Sequence, residues 1–193
     1  MKKIIVDIDD TSLNYANGLF DFVGVDYPHG KEYGSISDYL IGEHNFSSQK
    51  VWDVIAEFNE SEGFRHLQPL NNSDEVLKAL HDEGVKISVI SSCGDSNITK
   101  EHRYYNLYKV FGNIFESVTM LPLGSRKTNA LLKFIDREPI LVEDTLTHYH
   151  DAIILGMDSY IVKGEMNATE VNDSIDHFVD WNEFYKMYHT IHK

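Results

Sequence analysis

Five short apolar runs punctuate the chain: KIIVDI at 3–8, KISVISS at 86–92, SVTML at 117–121, PILVED at 139–144 and SYIV at 159–162. Each is rich in β-branched residues and too short for a core helix, so each predicts a buried strand. Between the later runs the apolar spacing becomes helical. In NITKEHRYYNLYKVFG, Ile98, Tyr105, Leu107, Tyr108 and Phe111 predict one buried face, and Gly112 supplies a stop. SRKTNALLKFID (125–136) and THYHDAIILG (147–156) follow the same plan. Strand and helix alternating in this way predict an α/β fold, a Rossmann-like parallel sheet with helices on both faces.

The first two runs break the rhythm. Far more sequence separates them than one crossover helix requires, and much of it reads as helix: 12–24, 48–59 and SDEVLKALHDEG, which opens at Asn72/Ser73 as capping candidates and closes at Gly84. GVDYPHGKEYGS, between the first two helices, is turn-rich. The economical reading is a small helical lobe, 14–72, inserted after strand one into a core made of 1–13 and 73–193. The tail FVDWNEFYKMYHTIHK reads as an amphipathic helix covering the sheet, with Trp181 as its anchor.

Composition narrows the function classes. The 193 residues hold 31 Asp and Glu against 17 Lys and Arg, a net charge of −14, which argues against general nucleic-acid binding while leaving room for one small phosphorylated ligand. The single cysteine, Cys93, excludes an internal disulfide and a Cys-cluster zinc site, fits a reducing compartment and reads as a packing residue. No apolar run approaches a membrane span, and the few apolar residues before Asp7 do not make a signal sequence, so the expected location is cytoplasmic.

The candidate chemistry gathers at strand ends, where ligand sites of open parallel sheets lie. Asp7 and Asp9 are two apart and are expected to leave one face of the first strand. PILVEDT brings Glu143 and Asp144 to the same edge. KISVISSCGDS brings Ser91 and Ser92, then Gly94 and a helix start, which together suit a phosphate. Lys127 opens a helix nearby, with Arg126 and Lys100 as competing cations. Several carboxylates converging here call for a divalent cation, and an all-oxygen set suits Mg²⁺. Asp10 reads as a turn residue and Thr11 as bonding locally to backbone. His148 and His150, two apart on a predicted helix, read as surface residues.

DIDDT at 7–11, Ser91 after ISVI, Lys127 and ILVEDT at 140–145 resemble, in order, the four motifs of the haloacid dehalogenase-like superfamily. That resemblance implies a sheet of order 3-2-1-4-5 and a cap after the first motif. It also implies a phosphomonoesterase that acts through an aspartyl-phosphate. Asp7 would be the nucleophile and Asp9 the general acid–base. Asp7, Asp144 and the Asp9 carbonyl would bind Mg²⁺, with Glu143 behind them or bound through water. Ser91, Ser92 and Lys127 would hold phosphate. ESEGFRHLQPLNNSDEVLKALHDEG is similar to the cap-to-core return of 5′(3′)-deoxyribonucleotidases, which implies a (deoxy)nucleoside monophosphate as substrate and Tyr15, Phe64 and Trp52 as its aromatic enclosure. The alternatives are another small phosphometabolite, a polynucleotide end, or a binding protein that keeps the fold without catalysis.

Overall fold

The computed structural model describes residues 3–191. Its sheet has the order β3-β2-β1-β4-β5-β6, with every neighbouring pair parallel. The strands are β1 Ile4–Val6, β2 Ile87–Ser91, β3 Phe115–Met120, β4 Ile140–Glu143, β5 Asp158–Val162 and β6 His177–Phe178. The expected five-strand order is present, and β6 extends it. Two residues are too few to leave a period in the sequence, and β6 exists because its backbone completes the edge of β5.

Side-chain alternation along β1 sorts the helices onto two faces. Ile4 and Val6 join α5 (Ser73–Asp82), α6 (Asn97–Phe111) and α9 (Trp181–Ile191) in the main core. Ile5 points the other way, with Ile90 and Leu141, onto α7 (Thr128–Leu131), Phe134 and Ala152 of α8 (Leu146–Ile154). Four helices lie between β1 and α5: α1 Tyr15–Val23, α2 Ile36–His44, α3 Ser48–Asn59 and α4 Glu62–Arg65. Ala16, Phe20, Tyr39, Leu40 and Val51 form a second cluster that also takes in Met166 from after β5, while Tyr15, Leu19, Phe58, Phe64 and Leu67 merge with the main core. Gly18 lets α1 close on the returning chain, since a Cβ there would stand 2.5 Å from Leu67 Cδ2.

Three expectations are corrected. In α6, Ile98 and Tyr108 are exposed, and the buried face is Thr99, His102, Arg103, Asn106, Leu107 and Phe111. The helix turns a mostly polar stripe inward because it meets the site as well as the core. The helix expected over 125–136 is one α-turn from Thr128, with Lys127 at its N-cap position, continued as a 3₁₀ helix over Leu132–Arg137. Asn72 does occupy the N-cap position of α5, but in the left-handed region and with no side-chain cap; the Ser73 hydroxyl bonds the Ser12 carbonyl instead.

Trp181 anchors α9 as its place in the amphipathic tail suggests. It is fully buried against Phe178 and Phe184, and its indole N–H donates to the Thr11 carbonyl at 2.9 Å, fastening the helix to the loop after β1. Trp181→Ala is expected to lower stability by roughly 3–5 kcal/mol through the cavity and the lost bond, read by urea denaturation. A loss below about 1 kcal/mol would mean that α9 is not held through this residue.

Candidate active site

β1 ends at Val6, but the Asp7 amide still donates to the Val142 carbonyl at 2.9 Å, so Asp7 is held at the sheet edge between β1 and β4. It is 6% exposed. The chain then turns sharply. Asp10 takes φ +48°, and its carboxylate accepts from the Ala16 amide at 2.8 Å, serving the start of α1 where Asn14 makes no cap bond. That supports the turn assignment. Thr11 differs from expectation: its hydroxyl reaches the Asp144 carboxylate at 3.3 Å rather than local backbone, because the turn folds it toward β4.

Glu143 ends β4 fully buried, its carboxylate accepting from the Asp144 and Thr145 amides, at 2.9 and 3.3 Å, just ahead of α8. Lys127 crosses from the N-cap position of α7. Its ammonium is 2.6 Å from Asp7 Oδ1 and also pairs with Glu143, and the side chain is 1% exposed. Of the competing cations, Arg126 is taken by Asp151, with Nε donating at 2.9 Å, and Lys100 sits in the first turn of α6 outside the cleft wall.

One ammonium cannot neutralise this many carboxylates. Burial raises Asp7 to about 7, helped by Glu143 and Asp9 and opposed by Lys127. Burial, then Glu143, Asp7 and Asp10, hold Asp144 well above the carboxylate range. Glu143 lies below that range: burial works against its charge, but Lys127, then His148 and a side-chain hydrogen bond with Asp144, outweigh it. Burial, against the hydrogen bond from the Ala16 amide and with help from Asp9, also lifts Asp10 to about 7. Asp7, Glu143 and Asp144 each offer an oxygen, all within 4.8 Å of one another, among the described residues. A set of oxygen donors that is under-neutralised, with Asp7 and Glu143 buried and Asp144 half-buried, fits a hard divalent cation.

The sign of the pH effect follows. A carboxyl whose folded pKa lies above its unfolded value favours the fold below the unfolded pKa and loses that contribution as pH rises through the folded one. Without metal, the stability contributed by Asp7 and Asp10 therefore falls as pH rises from about 4 to about 7 and stays lost above that. Millimolar Mg²⁺ should raise the melting temperature more at about pH 8 than at about pH 5. An equal or smaller gain at the higher pH, read by thermal unfolding, would mean that these carboxyls are not what the cation relieves.

The acidic edge opens into a cleft of about 180 Å³, whose wall includes Asp7, Asp9, Tyr15, Ser92, Lys127 and His148. Asp9 does not simply follow Asp7. Period-two alternation stops where β1 stops, and Asp7 turns to Lys127 while Asp9 turns to Arg103 on α6. The Ser92 hydroxyl donates to the Ser125 carbonyl at 2.9 Å, and the Ser91 hydroxyl is buried without a hydrogen-bond partner. The Tyr15 hydroxyl donates to Asn59 at 2.8 Å. Phe64 is fully enclosed beneath Tyr15 and Arg103, away from the cleft wall. Trp52 is 49% exposed and leans toward Gly124, where the nearest indole atom would meet a Cβ at 3.1 Å.

His148 and Arg103 were not among the sequence candidates. His148 is not a surface residue: its side chain is 12% exposed, 3.8 Å from Asp151, and burial lowers its pKa. Its signal was position, four residues after Asp144 on the helix that starts at the site. Arg103 could have been found by reading the polar stripe Thr99, Arg103 and Asn106 as the inward face of α6.

No family model matches the chain, and no curated protein matches its sequence significantly. Solved structures do match its fold. A haloacid dehalogenase-like hydrolase from Streptococcus pneumoniae aligns with TM-score 0.66 and 13% identity over 97% of this chain and 98% of that one. A hydrolase of the same family from Deinococcus radiodurans, solved with bound phosphate and sodium, aligns with TM-score 0.60 and 14% identity over 98% and 96%. Protein tyrosine kinase A from Mycobacterium tuberculosis aligns with TM-score 0.64 and 14% identity over 96% and 97%. At these identities the likeness establishes a shared fold. The chemistries these names span leave the activity to be argued from the site. None of these three names is that of a nucleotidase.

Proposed function

We propose that the chain is a Mg²⁺-dependent phosphomonoesterase that works through an aspartyl-phosphate. The observation that carries this reading is Lys127, shared by Asp7 and Glu143 beside Asp144 at the carboxyl edge of a parallel sheet. That arrangement gives a carboxylate nucleophile, a fixed cation and oxygen donors for a metal in one place.

In this reading Asp7 attacks phosphorus, the bond from phosphorus to the leaving oxygen breaks, and Asp9 gives that oxygen a proton. Asp9 then takes a proton from the water that attacks the aspartyl-phosphate, which releases phosphate and restores Asp7. Lys127 neutralises phosphoryl oxygens, with Ser91 and Ser92 as their hydrogen-bond partners; the unbonded Ser91 hydroxyl has its capacity free. Asp7, Asp144 and the Asp9 carbonyl would hold Mg²⁺, with Glu143 acting behind them or through water. The ion supplies positive charge against the phosphoryl group and the acidic edge. Residues 14–72 serve as a cap over this site, and a single buried thiol fits a cytoplasmic enzyme. Among the described residues, no helix is long and apolar enough to cross a membrane.

For the substrate we propose a small phosphomonoester, with (deoxy)nucleoside monophosphates first, supported by Tyr15 on the cleft wall. A second reading, another small phosphometabolite, is favoured by the neighbouring cavity of about 240 Å³. It shares Asp10 and Asp144 with the cleft and is lined by polar groups such as Asn14, Asn17, His29 and Lys163. Phosphate release should be measured across nucleoside monophosphates and sugar phosphates, with and without Mg²⁺. Nucleotides preferred in a Mg²⁺-dependent reaction is the expected result. Preference for sugar phosphates selects the second reading, and release from none removes both.

A further inference from the structure

The cation that meets Asp9 has no part in the scheme above. Arg103 is fully buried on α6, and its guanidinium pairs with Asp9. The planar group lies over the Phe64 ring at 4.1 Å, with Nη1 3.5 Å from the Asn106 side chain. Asn106 in turn donates to the Leu67 carbonyl at 2.9 Å. Arg103 is thus clamped by the segment through which the chain returns from α3 to α5, and it clamps Asp9.

A buried ion pair adds little net stability, because desolvation of the guanidinium offsets the attraction. What such a pair does supply is orientation: a charge-assisted bond to a rigid planar donor leaves a carboxylate few alternative rotamers. Asp9 lies beyond the last residue of β1, just ahead of the turn that Asp10 opens at φ +48°, where the β1 ladder no longer directs it. An acid–base group must sit within hydrogen-bond reach of the oxygen it protonates, and a small displacement is expensive in rate.

We propose that Arg103 is a positioning residue for Asp9, fixing the acid–base carboxylate and tying it to the Phe64–Leu67 return segment. This rests on the phosphatase reading above. Arg103 does not touch the phosphoryl group; it acts through Asp9.

The experiment compares Arg103→Met and Arg103→Lys with wild type on two substrates, the best alkyl phosphomonoester from the panel and p-nitrophenyl phosphate. Nitrophenolate leaves without a proton, so its first turnover does not need Asp9 as acid. Arg103→Met should cut kcat on the alkyl ester about 100-fold, with KM within about threefold, while the nitrophenolate burst rate stays within about threefold. Arg103→Lys should regain about tenfold of the loss. Equal losses on both substrates, a rise in KM alone, or no loss would overturn the proposal.

A stability cycle reads the pair without any turnover. Asp9→Asn should lower the melting temperature by roughly 10 °C when Arg103 is present and hardly at all in Arg103→Met. Additive effects would overturn the pairing on which the proposal depends. A wild type that hydrolyses neither ester would instead overturn the phosphatase reading, and the positioning role with it, whatever the cycle shows.

Discussion

Asp7→Asn is expected to abolish turnover, lowering kcat by more than about 10⁴-fold, because an amide cannot act as the attacking group and no second nucleophile is aligned in its place. The same substitution should leave the fold intact. Asp7 and Glu143 share Lys127, and burial and like charge lift Asp7 to about 7. Removing one of the two carboxylates relieves repulsion that only a cation would otherwise relieve. In metal-free buffer near neutral pH, Asp7→Asn should melt at or above the wild-type temperature. A dead but equally or more stable variant is the signature of a site that gives up stability for function. A variant that retains activity within about tenfold of wild type would remove Asp7 from the chemistry.

The second large effect is expected at Lys127, and it falls on folding as well as on rate. The ammonium is enclosed at 1% exposure against two buried carboxylates, with Asp144 close by. Lys127→Met keeps the length of the side chain and removes its charge, stranding Asp7 and Glu143 without their partner. Breaking a buried pair in this way costs about 3–5 kcal/mol. In a chain of this size that is a drop in melting temperature of roughly 10 °C or more. Mg²⁺ should recover part of the loss, because it supplies charge to the same oxygens. The double variant Lys127→Met/Glu143→Gln should recover part of it without metal, since the carboxylate that suffers most is then neutral. If Lys127→Met melts within about 2 °C of wild type, the lysine is not the counter-charge described here.

How much of this was legible beforehand depends on what kind of force placed each residue. β1, β2 and β4 could be read because buried parallel strands need nearly continuous apolar runs rich in β-branched residues, and Ile4–Val6, Ile87–Ser91 and Ile140–Glu143 have them. The bounds of α3 and α6 agree with the sequence reading, since Ser47 and Ser96 cap them and Gly112 stops the second. α2 was missed: only Tyr39 and Leu40 are buried along it, and it contains Gly42, a poor helix former. Its start is set by the Ser35 hydroxyl accepting from the Asp38 amide, a single bond inside a turn-rich stretch.

The acidic edge of the candidate site was legible for a simple reason. Asp7, Glu143 and Asp144 are placed by strand ends, and strand ends show in sequence. Asp9, Arg103 and His148 are placed by a turn, an inward polar helix stripe and a helix start, none of which carries an apolar period. The same limit explains the aromatic residues. Tyr15 reaches the cleft, whereas Phe64 is consumed in stacking on Arg103 and Trp52 leans on the loop around Gly124. Sequence spacing carries no information about which of several aromatics a buried cation will claim.

The central claim is that phosphate passes through Asp7. The most direct measurement mixes enzyme with excess phosphomonoester and Mg²⁺, quenches in acid during turnover, reduces with borohydride and maps the product by peptide mass spectrometry. An acyl phosphate on Asp7 would be reduced to homoserine, so the expected result is homoserine at position 7 in wild type. It should depend on substrate and on Mg²⁺, and it should be absent from Asp7→Asn. Phosphate released at the wild-type rate with no modification at Asp7, or with the modification on another residue, would contradict the account.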